Sequence, residues 1–286
     1  MSLVAAAGGL AGLLAVGGSA AWTVLAAGAW QDVTRPPRRG LGWALGQGLP
    51  ASPADLGLAH EERISRTGET AIPAWWITGR AGGTSPTVIV LHGHGRSRWD
   101  SLRRIGPWID RAGLLVLPDL RGHGDAPGRC TVGRREPADV AHVVIEAERA
   151  RPGAPVVLAG HSMGAVVAIH AAARRAEAGA PVHSVIAWGP YGRVRTPFEA
   201  RMRLRGLPAR PVSDVVLGVM HVLDGPEIHT AEAAARLGPT RLEVWADEGD
   251  VVSPVADAEL ICRAAGGILH RTRDVPHADL GAAPTR

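Results

Sequence analysis

The stretch that decides the fold runs from residue 156 to residue 165 and reads Val-Val-Leu-Ala-Gly-His-Ser-Met-Gly-Ala. Its first four residues predict a short buried strand, and the alanine-rich segment after it predicts a helix. Between them stands the pattern G-x-S-x-G, with Ser162 at its centre. In this context the pattern predicts a nucleophile elbow, a sharp turn that presents the serine hydroxyl at a helix N-terminus. Gly160 and Gly164 leave room for such a turn because they carry no side chains.

Strands and helices alternate on both sides of the elbow. Short apolar runs predict strands at 62–67, 71–78, 87–91, 114–117, 155–159, 185–188, 241–246 and 268–273. Helical spacing of apolar residues predicts helices at 101–112, 137–149, 163–177 and 254–265. Such alternation indicates an α/β fold with a mostly parallel central sheet and helices on both of its faces. The alternation breaks from about 192 to 238, where short arginine-rich helices predict a small helical lid.

Composition divides the chain into three segments. Residues 1–30 are an apolar appendage, 31–59 are a linker rich in proline, glycine and arginine, and 60–286 are one α/β domain. No residue from 3 to 30 is charged, so this run is long enough for an N-terminal transmembrane helix, and the arginines that follow favour a cytoplasmic domain. A signal peptide cleaved near 27–29, with a secreted domain, is the alternative. Of the two alternatives, we favour the single-pass membrane anchor.

The charged and metal-binding residue types exclude several classes of function. All basic residues are arginines, the formal net charge is only +4, and no dense basic stripe predicts a nucleic-acid partner. Cys130 and Cys262 lie far apart and outside any zinc or redox spacing, and the sequence leaves open whether they pair. The histidines of the motifs lack the spacing of a metallo-hydrolase. We therefore expect no metal and no other cofactor.

Two further motifs accompany the elbow. The segment VIVLHGHG occupies 88–95, and PDLRGHG occupies 118–124. With the elbow, they resemble the α/β-hydrolase family from about residue 52 to the C-terminus. The resemblance implies the α/β-hydrolase fold and a structural role for Asp119. The lead-in at 53–76 resembles that of bacterial acylaminoacyl-peptidase-like and dienelactone-hydrolase-like proteins.

The same resemblance implies an oxyanion hole. The family's His-Gly segment supplies one donor, and by that likeness the backbone N–H of His94 is the candidate here. The second candidate is the backbone N–H of Met163, which follows the elbow serine at the start of the predicted helix. Both groups are expected to face the carbonyl that Ser162 attacks.

An acid and a base complete the predicted triad, since this fold distributes the three residues along the chain in the order Ser, Asp, His. The segment WADEGDVVSP, at 245–254, resembles the strand and loop that carry the family's acid. Asp250 matches the motif position best, and Asp247 is its rival. His277 follows the last predicted strand, as the family's histidine does, and is the candidate base.

These residues predict a serine hydrolase that cleaves an ester bond in a small acyl substrate, as carboxylesterases and lipases do. The pattern contains no pocket residue that separates this activity from that of a peptidase, a thioesterase or an acyltransferase on the same fold. A non-catalytic binding protein tethered to the membrane is an alternative of another class. The oligomeric state is not encoded in any of these patterns.

Overall fold

The computed structural model describes residues 22–67 and 70–281. Its sheet has eight strands: β1 (His60–Thr67), β2 (Thr70–Thr78), β3 (Thr87–Leu91), β4 (Leu114–Pro118), β5 (Val156–His161), β6 (Ser184–Trp188), β7 (Arg241–Asp247) and β8 (Ile268–Thr272). The spatial order is β1-β2-β4-β3-β5-β6-β7-β8. The last six strands of that order are mutually parallel, and β1 and β2 pair antiparallel at one edge. The predicted mostly parallel sheet is confirmed.

Helices cover both faces of the sheet. They are α1 (22–34), α2 (Leu41–Gly46), α3 (Arg98–Leu102), α4 (Gly106–Ile109), α5 (Glu136–Ala150), α6 (Met163–Glu177), α7 (Arg195–Leu204), α8 (Arg210–Asp224), α9 (Thr230–Ala234) and α10 (Val255–Ala265). Two short 3₁₀ helices lie at Pro53–Leu56 and His277–Asp279. Residues of α2, α3 and α4 pack on one face, whereas α5, α6, α9 and α10 pack on the other. The predicted α/β architecture is therefore the observed one.

The central strands are apolar along their whole length because each one contributes to two cores. In β3, all five residues are buried. Ile89 and Leu91 belong to the core beneath α5 and α6, while Val88 and Val90 belong to the core beneath α3 and α4. Successive side chains of a strand point to opposite faces, so an uninterrupted apolar run is typical of a strand covered on both sides. This arrangement fixes the parallel strands whose carboxyl ends carry the site.

The prediction of one helix over 101–112 is wrong. The structure has two short helices there, α3 and α4, separated at residues 103–105. Pro107 stands in the first turn of α4. A proline is tolerated in a first turn, where its missing N–H has no partner to lose, but it interrupts a helix that runs through it. The apolar spacing correctly indicated which residues contact the core, but it did not reveal that the helix is interrupted.

Residues between β6 and β7 form the helical insertion that the sequence predicts at 192–238. It contains α7, α8 and α9. Phe198 and Met202 of α7 and Met220 of α8 are buried against the core. The insertion lies next to the carboxyl end of β6, so α7 borders the site described below.

The predicted membrane segment at 3–30 lies mostly outside the described residues. Its described end belongs to α1, where Ala29 and Val33 are buried against the domain. Among residues 22–67 and 70–281, no helix combines the length and the apolar character needed to cross a membrane. The anchor stays a prediction.

Candidate active site

Ser162 lies in a sharp turn between β5 and α6. Its backbone has φ 53° and ψ −117°, a conformation that a residue with a side chain rarely adopts. The turn is tight on both sides: a Cβ on Gly160 would come within 2.3 Å of the Gly164 carbonyl oxygen, and one on Gly164 within 2.4 Å of the Leu91 carbonyl oxygen. Only glycine fits at either position. The strained turn places the Ser162 hydroxyl at the N-terminal end of α6.

A row of hydrogen bonds runs from this hydroxyl to a buried carboxylate. His277 Nε2 lies 2.9 Å from Ser162 Oγ, and His277 Nδ1 lies 2.5 Å from Asp250 Oδ2. The Asp250 side chain is 1% exposed and that of His277 17%. Because the carboxylate accepts the proton on Nδ1, the lone pair of Nε2 faces the serine. The three predicted residues come from separate loops and meet at the carboxyl edge of the sheet.

The two candidate acids have different surroundings. Asp250 Oδ1 accepts hydrogen bonds from the backbone N–H groups of Val252 and Ser253, at 2.8 and 3.0 Å, which leaves Oδ2 for His277. Asp247 instead accepts from the N–H of Val275, at 2.9 Å, from the N–H of Gly249 in the loop that follows it, and from the hydroxyl of Thr272 in β8. That bond from Val275 is the main reason why the pKa of Asp247 is lowered. Asp247 thus fastens the histidine loop, while Asp250 contacts the histidine itself.

His161, the residue before the serine, holds the other side of the histidine loop. Its Nε2 donates a hydrogen bond of 2.6 Å to the backbone carbonyl of His277. Burial, more than any neighbouring charge, lowers the pKa of His161 well below its usual value, so the ring remains neutral. Sequence reasoning gave His161 no role. Its contact positions the backbone of His277 relative to the elbow.

The two residues predicted to supply oxyanion donors lie on different elements, Met163 on α6 and His94 in the loop after β3. Met163 is the first residue of α6, and N–H groups in the first turn of a helix have no partner inside that helix. His94 lies in the loop after β3 and lines the same cavity as Ser162. Its ring Nε2 donates to the carbonyl of Val33 in α1, at 2.9 Å. Burial lowers the pKa of His94 to about 3, so its Nδ1 carries a lone pair.

A cavity of about 400 Å³ opens above Ser162. One side consists of the loops at the carboxyl edge of the sheet, including His94, His161 and His277. The other side consists of α7 and of the segment 29–39, with apolar contributions from Ala29, Val33 and Phe198. The segment predicted as a linker therefore borders the candidate site, which no motif indicated.

One group of side chains beside the cavity has the donor atoms of a metal site. Ring nitrogens of His94 and His123 and the sulfur of Cys130 lie within 4.8 Å of one another. His123 Nε2 is buried and makes no hydrogen bond. Burial raises the pKa of the Cys130 thiol well above its usual value, and the guanidinium of Arg201 lies 3.4 Å from His94 Nδ1. A neutral thiol and a neighbouring cation disfavour a divalent ion there.

The cysteines are free. Cys130 and Cys262 are both buried and form no disulfide with each other. The Cys130 sulfur contacts the sulfur of Met163, at 3.6 Å, and therefore packs beneath the elbow. In the structure the two cysteines are therefore unpaired thiols.

The family model of the alpha/beta hydrolases matches residues 88–284, which is more than half of the chain. The chain belongs to the alpha/beta hydrolase family. The matched range contains the elbow, both candidate acids and His277. The fold and the family are those of hydrolase enzymes.

Curated relatives of this α/β hydrolase include two proteins that it matches in part. It is 32% identical over 187 residues to lipase LipV of Mycobacterium tuberculosis, which is 63% of this chain and 59% of that protein. It is 36% identical over 110 residues to protein ABHD12B of Homo sapiens, which is 37% of this chain and 30% of that protein. The chain thus spans less than two thirds of the length of either relative.

Solved structures share the fold of this α/β hydrolase at lower identity. Esterase Pf2001 of Pyrococcus furiosus superposes with a TM-score of 0.66 and 24% identity, over 86% of this chain and 90% of that one. Est1E of Butyrivibrio proteoclasticus, solved with ferulic acid, superposes with a TM-score of 0.60 and 16% identity, over 76% and 91%. At these identities the similarities support the fold and do not indicate which substrate this chain binds.

Proposed function

We propose that this α/β hydrolase is a serine esterase that cleaves small acyl esters through Ser162, His277 and Asp250. The observation that carries the proposal is the continuous row of hydrogen bonds from Ser162 Oγ through the imidazole to the buried carboxylate. Such a row makes a serine hydroxyl nucleophilic, because its proton has an acceptor in place and the resulting imidazolium has a counter-charge.

The mechanism follows from these positions. His277 Nε2 takes the proton of Ser162 as Oγ attacks the acyl carbonyl, and Asp250 stabilises the imidazolium. The N–H groups of Met163 and His94 receive the developing oxyanion, with the N-terminal end of α6 adding favourable potential. His277 then gives its proton to the leaving alkoxide. A water molecule, deprotonated by the same nitrogen, releases the acid and restores the serine.

An ester substrate is favoured over the other acyl substrates of the fold because the relative LipV is a lipase. The cavity volume of about 400 Å³ suits a small acyl group rather than a folded polypeptide chain. We also propose that the insertion holding α7 acts as a lid, since α7 supplies one wall of that cavity.

The test is hydrolysis of p-nitrophenyl esters of increasing acyl length by the full chain and by Ser162→Ala. The full chain is needed because residues 29–39 line the cavity. We expect kcat/KM to fall by at least about a thousandfold in the variant. The matched control, Ser85→Ala, changes a serine that does not line the cavity and whose hydroxyl donates to the Ala81 carbonyl, and it should retain activity. Equal activity in Ser162→Ala and the unaltered chain would refute the proposal.

A further inference from the structure

The cavity above Ser162 is lined by more positive than negative charge. Its lining includes four guanidinium groups, those of Arg39, Arg96, Arg201 and Arg205. Within the described residues, their ion-pair partners are only two carboxylates. Asp32 pairs with Arg205 at 2.7 Å, and the buried Asp100 is shared by Arg39 at 3.5 Å and Arg96 at 3.1 Å. Four positive charges therefore face two negative ones, and of these four arginines only Arg201 has no carboxylate of the described residues within ion-pair distance.

Within residues 22–67 and 70–281, no carboxylate forms an ion pair with Arg201 of α7. Within the part of the chain that the structure describes, the polar contact of its guanidinium is the 3.4 Å approach to His94 Nδ1. Burial is the main reason why the pKa of Arg201 is lowered; the charges of Arg205 and Arg96 lower it further, while Tyr191 and Asp250 offset part of this shift. A partly desolvated cation repelled by its neighbours is costly, and an anion beside it would offset that cost.

The guanidinium of Arg201 has N–H groups that no described residue occupies and that can bind such an anion. The His94 ring is neutral and uses Nε2 on Val33, so it occupies one guanidinium N–H at most. A guanidinium has five N–H donors in a planar fork, which leaves a pair for bidentate binding of a carboxylate or phosphate. Arg201 and Ser162 line the same cavity, so one substrate molecule can reach both.

We propose that Arg201 forms an anion subsite, and that the preferred substrates are esters carrying a carboxylate or phosphate group apart from the scissile bond. This inference rests on the proposed esterase function. Arg96 and Arg205 supply further positive potential around the subsite. An exposed lysine would serve less well there, since the fork of an arginine matches both planar and tetrahedral anions.

The test compares matched esters with and without a negative charge. On the acyl side the pair is the p-nitrophenyl monoester of suberic acid and p-nitrophenyl octanoate; on the alcohol side it is the butyrate of 3-(hydroxymethyl)benzoate and benzyl butyrate. We expect the unaltered chain to prefer the anionic member of at least one pair by about tenfold or more at low salt, and less at high salt. The pair that shows the preference identifies which part of the substrate carries the charge.

Two variants decide whether Arg201 is the cause. In Arg201→Gln the ratio of kcat/KM for the anionic and neutral esters should fall to about one, and Arg201→Lys should restore part of it. The matched control is Arg203→Gln, on the same helix but outside the cavity, where Arg203 pairs with Glu199. It should keep the ratio of the unaltered chain. An unchanged ratio in Arg201→Gln, or no preference in either pair, overturns the inference.

A binding measurement separates the inference from the esterase proposal. Calorimetric titration of Ser162→Ala with octyl phosphate should show binding that weakens at least about tenfold when Arg201→Gln is added. This result without any ester hydrolysis would keep the anion subsite and refute the esterase. Ester hydrolysis that depends on Ser162, without charge preference and without this binding, would keep the esterase and refute the subsite.

Discussion

The two walls of the cavity are built differently. The sheet-side wall consists of Ser162, His277 and the other loop residues at the carboxyl edge of the sheet, where strands and backbone hydrogen bonds fix each side chain. The helical wall consists of α7 and residues 29–39, and it presents arginines and apolar side chains. Under the proposed function, the first wall holds the groups that break the ester bond, and the second holds the arginine that we propose selects anionic substrates. A local sequence motif predicts the first wall, whereas no motif predicts the second.

The largest expected effect is on kcat, and it comes from substituting Asp250 or Asp247 at the carboxyl end of β7. Asp250→Asn removes the counter-charge of His277 and favours the wrong tautomer, so kcat should fall by about four orders of magnitude. Asp247→Asn weakens the bonds to Val275 and Gly249 and should lower stability, with less than about a tenfold effect on kcat. Steady-state kinetics on a p-nitrophenyl ester measures both. The reverse order of the two effects would show that Asp247 is the acid.

A smaller effect, on stability, distinguishes a glycine of the elbow from a glycine of the helical insertion. Gly164→Ala would place a Cβ 2.4 Å from the Leu91 carbonyl oxygen, a backbone atom that cannot turn aside, and should destabilise the fold by about 1–3 kcal/mol. Gly218→Ala in α8 meets no atom within 4 Å and should stabilise the helix by roughly 0.5–1 kcal/mol. Urea denaturation of the two variants gives both numbers. Equal changes would contradict the tight packing assigned to the elbow.

A third effect concerns the pH dependence of stability. Burial lowers the pKa of His123 to about 4, from 6.5. Between these values the folded chain binds fewer protons than the unfolded chain, so stability falls as the pH is lowered from 6.5 to 4. His123→Gln should make that decline shallower by up to about 1.4 kcal/mol per pH unit. Denaturation midpoints across this range provide the measurement, and an unaltered slope would mean that His123 is protonated in the folded chain.

The parts of the fold that the sequence predicts well are those with a local signal. The apolar runs of β3 and β5 indicate buried strands, and the structure has these strands where they are expected. The glycines at 160 and 164 indicate a tight turn, which is also present. The break between α3 and α4 was missed because apolar spacing continues across it, although Pro107 was a usable signal.

The arginine cluster was missed for another reason. Arg39, Arg96 and Arg201 are distant in sequence and meet only because α7 and the segment 29–39 fold over the same edge of the sheet. Each one, taken alone in the sequence, is indistinguishable from a solvated surface charge. A contact that depends on tertiary structure leaves no periodic or spacing pattern, so only the assembled cavity reveals it.

The measurement that tests the central claim most directly is covalent labelling of the full chain with a fluorophosphonate, followed by mass spectrometry of the labelled peptide. The account predicts one label per chain on the peptide that contains Ser162, and strongly reduced labelling in His277→Ala, because the serine then has no base. Labelling of a different residue, or labelling that persists in Ser162→Ala, would contradict the assignment of Ser162 as the nucleophile.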